Sequence, residues 1–223
     1  TTVDFKELAT SFGTGGLDGK LVSLAGDISN QRMSESDAFK KIVSGDLIDI
    51  NAKYQKKYKT VVFTKLFFSA NDIPSTTDTT YGFYRKLAII PCDADLRKVS
   101  TRDGAFFQRR LLSESSKEAV AYKSVLAIHN VLKTTGGFIE PVKVVNAMRQ
   151  YKISNSSVLA WFYQSQYKDD KQQVDTGTNM HGFYSLWCER NYYKAKSYGK
   201  FIKDLEHELH VKFDPVKDIF IYN

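Results

Sequence analysis

Val61-Val62-Phe63-Thr64-Lys65-Leu66-Phe67-Phe68-Ser69 runs directly into Ala70-Asn71-Asp72-Ile73-Pro74. The run is rich in β-branched and aromatic side chains, which predicts a strand, and the proline that follows stops it. A second apolar run, Leu21-Val22-Ser23-Leu24-Ala25, ends at Gly26-Asp27 and reads as a buried strand with an acid at its carboxyl end. In open α/β sheets ligands bind beyond the carboxyl ends of the strands. Asp27 and Asn71 are therefore the first candidates for chemistry. An acid in such a place can hold Mg²⁺, and an amide can hydrogen-bond a γ-phosphate or orient an attacking water. Each is also an ordinary turn residue.

The neighbouring segments extend this α/β reading. Ser34 and Ser36 are N-cap candidates for a helix with Phe39, Ile42 and Val43 on one face, broken at Gly45-Asp46. Ile48 to Tyr58 reads as a hairpin with a basic tip, holding Lys53, Lys56 and Lys57. Ser75 to Tyr81 is a polar loop, and Leu87-Ala88-Ile89-Ile90-Pro91 reads as another buried strand. From Gly104 to Lys133, Phe107, Leu111, Val120, Val125, Ile128 and Leu132 recur at helical spacing and predict two helices parted near Ser113. Further helices are expected over 140–151, 157–167, 181–192 and 197–209, with two short strands about Asp214-Pro215 and a linker over 169–179.

Composition sets outer limits. The 223 residues are 42% apolar and 26% charged, a globular balance rather than a disordered one. No apolar run approaches the roughly 20 residues of a membrane span. The opening residues do not form a secretory leader, and a first residue other than Met suits a fragment of a longer protein. Cys92 and Cys188 are far apart and fit a reducing cytoplasm as small buried hydrophobes. His207 and His210 share helical spacing, but no further ligand completes a metal site.

The net charge of +7 lies in one segment: 97–152 carries 11 Lys/Arg against 4 Asp/Glu, while 1–96 balances 12 against 12 and 153–223 balances 9 against 9. A basic segment of this kind is either a nucleic-acid footprint or a solvated face.

Gly13 to Leu21 invites comparison with a phosphate-binding P-loop, but the comparison fails. Thr14 stands where the first Gly belongs, Leu21 stands where the Mg²⁺-binding hydroxyl belongs, and the run precedes a strand instead of opening a helix.

The order of the elements over about 18–93 is more specific than any one of them. A strand ending in Asp27 is followed by Lys41-Ile42-Val43-Ser44-Gly45-Asp46, the lysine-bearing hairpin, a strand ending in Asn71 then Pro74, and Phe83-Tyr84-Arg85-Lys86 before Ile89-Ile90-Pro91. This order resembles the carboxyl half of the superfamily 3 helicases found in phage and plasmid primase–helicase proteins. Phe183-Tyr184-Ser185-Leu186-Trp187-Cys188 and Lys200-Phe201-Ile202-Lys203-Asp204-Leu205 resemble the same family's carboxyl-terminal winged-helix domain. Three departures stand out. No Walker A is present, Gly26 occupies the first acidic place of Walker B, and Lys86 replaces the second Arg of an Arg-Arg pair.

The resemblance implies a partial AAA+-like α/β core over 1–96, a helical lid over 97–152 and a winged-helix domain over 153–223. It implies that Asp27 holds Mg²⁺ through a nucleotide, that Asn71 senses the γ-phosphate, and that Arg85, with Lys86 as alternate, reaches a neighbouring subunit's nucleotide. Lys53, Lys56 and Lys57 would track DNA in a central channel; the competing reading is a solvated hairpin tip. Arg109 and Arg110 of the lid, and Lys196, Ser197, Tyr198, Lys200 and Lys203 around the last helix, are the other DNA-contact candidates. Phe201 and Leu205 are expected on that helix's buried face. The expected whole is a cytoplasmic, ATP- and Mg²⁺-dependent hexameric DNA helicase of a phage or mobile element, acting on single- and double-stranded DNA. This chain alone is expected to be inactive and to hold no tightly bound cofactor. The rival reading is a non-enzymatic DNA-binding or regulatory module derived from such a helicase.

Overall fold

The computed structural model describes every residue except 11, 31, 34, 52–55, 96–97, 99–102, 135–139, 166, 168–174 and 222–223. The chain divides into two compact units, Thr1–Ala88 together with Met148–Asn223, and Ile89–Ala147.

The first unit opens with a single helical turn, α1 (Phe5–Leu8), closed by reciprocal bonds between Asp4 and Glu7. Consecutive turns then lead into β1 (Val22–Ala25). Helix α2 (Asp37–Ser44) stops at Gly45, whose φ of 73° is the left-handed cap that glycine adopts without strain. β2 (Leu47–Ile50) and β3 (Tyr58–Val61) form an antiparallel hairpin. β4 (Lys65–Phe68) returns to β1 and pairs with it in parallel, from Val22 opposite Lys65 to Ala25 opposite Phe68. One helical turn, α3 (Tyr81–Tyr84), follows.

Two expected strands differ in the structure. The run Val61–Ser69 is divided, because the Thr64 hydroxyl shares its one proton between Leu17 O at 2.7 Å and Lys20 O at 2.6 Å. That anchor pulls the chain out of line, so β3 and β4 serve different partners. Leu87–Pro91 forms no strand, and Ile90 is 70% exposed. A β-branched run becomes a strand only where a neighbour takes its backbone bonds, and none among the described residues does so here.

β1 and β4 have unequal faces. Ser23 and Ala25 are buried, and the rings of Phe68, Phe5, Phe39 and Phe83 meet in that order, tilted or edge-on, at centroid distances of 5.6, 5.1 and 5.7 Å. Helices α1, α2 and α3 thus cover one side. On the other side Leu24 and Phe67 are 61% and 56% exposed.

The rest of this unit is helical. It takes the residues from Met148 onward of α6 (Val142–Asn155), then α7 (Ser157–Gln164), α8 (Gly177–Arg190), α9 (Tyr198–Leu209) and a hairpin of β5 (Lys212–Asp214) and β6 (Ile219–Ile221). α8 begins earlier than its apolar pattern suggests, because Thr176 caps it by accepting from the Asn179 amide at 3.1 Å. Val158, Trp161, Met180, Tyr184, Cys188, Phe201 and Leu205 form one core. Phe201 lies 5.0 Å from Tyr184 and 5.4 Å from Trp161, ring to ring. Burying each such large side chain contributes about 1.5–3 kcal/mol. Cys188 is buried as expected; Cys92, expected to be buried, is exposed, lying just past the run that found no strand partner.

In the second unit, α4 (Gly104–Leu111) is capped by Asp103 and α5 (Glu114–Lys133) by Ser113. Both helices stand where the spacing predicts them. Neither buries a residue, however, and Leu111, Val120, Val125, Ile128 and Leu132 are exposed.

Candidate functional site

The parallel pairing of β1 and β4 sends Asp27 and Asn71 off the same end of one sheet. Asp27 lies two residues past Ala25, and Asn71 lies three past Ala25's partner Phe68. Three bonds tie the two strand exits together: Ser69 N to Ala25 O at 2.9 Å, Ile28 N to Ser69 O at 3.0 Å, and Asp27 N to Ser69 Oγ at 3.3 Å. The backbone of Asp27 is left-handed, with φ of 52°, a conformation that Asp and Asn tolerate better than most residues. Asp27 and Asn71 are both exposed, and the Asp27 carboxylate has no partner among the described residues. With neither side chain engaged among the described residues, a carboxylate and an amide at the carboxyl end of one sheet are donors of the kind that a divalent cation and an oxyanion take.

Arg85 caps the carboxyl end of α3, its amide donating to Tyr81 O at 3.0 Å. Its side chain is exposed and its guanidinium meets no carboxylate among the described residues. Lys86 is half-buried and gives its ammonium to the Ser44 hydroxyl. The two adjacent cations therefore differ: one is free and one is tied to α2.

The loop from Asn71 to Arg85 is firmly held. Asp78 accepts four hydrogen bonds: from the Ser36 hydroxyl, from Lys40 Nζ at 2.9 Å, and from Thr80 N and Oγ1 at 3.1 and 2.6 Å. Burial alone would raise its carboxyl, but the bonds from Ser36, Thr80 and Lys40 outweigh it and hold the group well below the usual carboxylate range. Sequence reading passed over Asp78 as part of a polar loop. Its signal was Asp78-Thr79-Thr80 directly before a helical turn, the pattern of an Asx turn at a helix start.

A groove of about 700 Å³ lies beside α2 and the β2–β3 hairpin, lined by Lys41, Lys57 and Lys59 as well as Asp49 and Asp78. Lys53 lies outside the described residues; Lys56 and Lys57 are exposed on the way into β3. In the second unit Arg109 and Arg110 are exposed on the last turn of α4, with Arg109 Nε donating to Ala105 O at 3.3 Å.

The last helix sorts its own candidates. Lys196 Nζ is paired with Asp204 at 2.7 Å, and its amide donates to Tyr184 Oη at 2.9 Å. Tyr198 gives its hydroxyl to Asp218; burial and that carboxylate both raise the phenol. Ser197, Lys200 and Lys203 are exposed, and neither lysine has a partner among the described residues. Phe201 and Leu205 are fully buried. Among the described residues no group of three metal-ligating side chains converges, and no helix is long and apolar enough to cross a membrane.

Residues 1–86 are similar to a protein family described as a family of unknown function (DUF5906). The matched stretch runs from α1 through Arg85 to Lys86 and so takes in both strand exits. No curated protein matches the sequence.

Proposed function

We propose that this chain is the carboxyl-terminal part of a phage or mobile-element replicative helicase of the superfamily 3 type, which couples ATP hydrolysis to DNA unwinding as a ring of subunits. One observation carries the reading. β1 and β4 are adjacent, parallel and in register, so the acid after one and the amide after the other leave the sheet side by side. Ligand sites of open α/β sheets are built at such an edge. Two further features support it. A two-stranded parallel sheet with Leu24 and Phe67 exposed on one face is too small to stand alone and fits as part of a wider sheet. The order α8, α9, then the β5–β6 hairpin suits a helix-turn-helix followed by a wing.

The chemistry is phosphoryl transfer to water. Asp27 would hold the Mg²⁺ that bridges the nucleotide phosphates, directly or through a water. Asn71 would hydrogen-bond the γ-phosphate or the attacking water. Arg85, which meets no carboxylate among the described residues, would enter the neighbouring subunit's site and offset charge that develops in the transition state, an effect worth roughly 10³–10⁵ in rate in other enzymes. The P-loop that cradles the β- and γ-phosphates is not among these residues, so the 223-residue chain by itself is expected to show no ATP turnover.

The test mixes two variants in the protein that carries this chain together with a P-loop. Arg85→Ala is expected to abolish turnover while leaving nucleotide affinity nearly intact, since a finger acts on the transition state. Asp27→Asn is expected to be inactive as well. Mixed rings regain activity where an intact finger faces an intact Mg²⁺ site. No recovery despite demonstrated subunit exchange, with DNA binding retained, would favour the rival reading of a non-enzymatic DNA-binding module, for which Gly26 in the first acidic place already speaks.

A further inference from the structure

Helix α6 grips the segment between Asn71 and Arg85 at two backbone atoms. Tyr151 Oη donates to Pro74 O at 2.8 Å in a buried bond, and Asn155 Oδ1 accepts from Thr76 N at 2.7 Å. The two side chains are four residues apart, so they stand one above the other on the same helix face. The Asn155 amide is itself oriented, because its Nδ2 donates to Tyr151 O at 2.8 Å. The same helix turn also touches the far end of the segment. The Tyr151 ring meets the Tyr84 ring edge-on at 6.1 Å, and Lys152 Nζ sits 5.9 Å from that ring's centroid. Tyr84 is 6% exposed and immediately precedes Arg85. One turn of α6 thus fixes the start of the loop and the residue beside the arginine.

We propose that Tyr151 and Asn155 are positioning residues for Arg85, a clamp through which the carboxyl-terminal helices set where that guanidinium stands. The proposal rests on the reading of Arg85 as the finger, and it adds the control of its placement. α6 is tied to α9 through Lys152 and Glu208 at 3.4 Å, and α9 reaches α3 directly where His207 stacks on Tyr81 at 5.6 Å. Both ends of the Arg85 mounting therefore bear on the helix that carries Lys200 and Lys203. Load applied to α9 by a bound duplex would reach the arginine through packed side chains.

The experiment is residue-resolved amide hydrogen exchange and NMR on the 223-residue chain, comparing Tyr151→Phe, Asn155→Ala and the double variant. Tyr151→Phe removes one hydroxyl and keeps the ring on Tyr84, so it reports even where the double variant folds poorly. Asn155→Ala is expected to speed exchange of the Thr76 amide at least tenfold. Each variant is expected to shift the Arg85 amide and Nε–H signals, while the β5–β6 hairpin keeps its wild-type exchange rates. Unchanged Arg85 signals in all three variants would overturn the proposal. So would a uniform acceleration of every amide, which marks plain destabilisation. No nucleotide is present, so failure here is separable from failure of Arg85 as a finger, which the mixing experiment reads.

Discussion

The Ser36 hydroxyl donates to Asp78, and its oxygen accepts from no amide of the helix that Ser36 precedes. Ser36 stands at the N-cap of α2 but makes no side-chain bond to that helix's amides. The loop thereby gains an anchor on α2, reinforced by Lys40, which bridges Asp78 at 2.9 Å and Asp37 at 3.0 Å.

Asp78→Asn is expected to destabilise the chain by about 1.5–3 kcal/mol, the range for hydrogen bonds to a charged group. It also carries a pH signature. The folded carboxyl titrates below its unfolded value, so its contribution is complete above the unfolded pKa of about 3.9 and is lost as pH falls toward the folded one. Urea unfolding of the wild type between pH 6 and pH 3 is expected to show that loss, and Asp78→Asn is expected to flatten it. Some slope remains, because Asp175 is lowered by bonds from Asn179 and Tyr167, and Asp218 by bonds from Tyr198 and Thr178. Equal slopes in variant and wild type would refute the assignment.

The Tyr84 hydroxyl is buried with no hydrogen-bond partner among the described residues, and burial pushes its phenol above the ordinary range. An unpaired buried polar group costs about 1–3 kcal/mol, and removing it relieves that cost. Tyr84→Phe is therefore expected to be neutral or to raise the midpoint of unfolding, with the ring contacts to Tyr151 and Phe83 retained. A loss above about 1 kcal/mol would show that the hydroxyl has a partner after all, such as a bound water of the kind buried polar groups recruit.

These contacts explain where sequence reading stopped. Helices α4, α5, α7 and α9 follow from apolar spacing, and side-chain caps at Asp103, Ser113 and Ser156 start the first three, all local signals. The β1 and β4 strands and the exits at Asp27 and Asn71 were legible for the same reason. The division at Thr64 was not, because its cause is a bond to Leu17 and Lys20, more than 40 residues away in the chain. Leu87–Pro91 has the composition of a strand, yet strands are made by neighbours and composition does not supply one. The grip of Tyr151 and Asn155 on Pro74 and Thr76 spans 77 and 79 positions and leaves no local trace. The likeness of Lys196 to Lys200 as DNA-contact candidates ended in the same way, once Asp204 claimed the first.

That last distinction gives the DNA-binding prediction its form. Lys200 and Lys203 are exposed and without a partner among the described residues, whereas Lys196 and Tyr198 are occupied by Asp204 and Asp218. If α9 reads a duplex, Lys200→Glu with Lys203→Glu is expected to weaken duplex binding. It is also expected to lower the salt slope on the duplex by about 1.8, since each phosphate contact on B-DNA contributes about 0.9. Arg109→Glu with Arg110→Glu, in the segment that carries the chain's excess charge, is expected to weaken single- and double-stranded binding alike, as backbone tracking ignores sequence. Lys196→Glu makes a poor probe, because it places like charges together at Asp204 and so disturbs the fold before any contact. Fluorescence anisotropy on both oligonucleotide forms at two salt concentrations separates these cases. An affinity indifferent to both charge reversals yet still falling with salt would make these surfaces solvated faces and leave DNA contact to the hairpin lysines, Lys56 and Lys57; an affinity indifferent to salt would exclude phosphate contact by any of these cations.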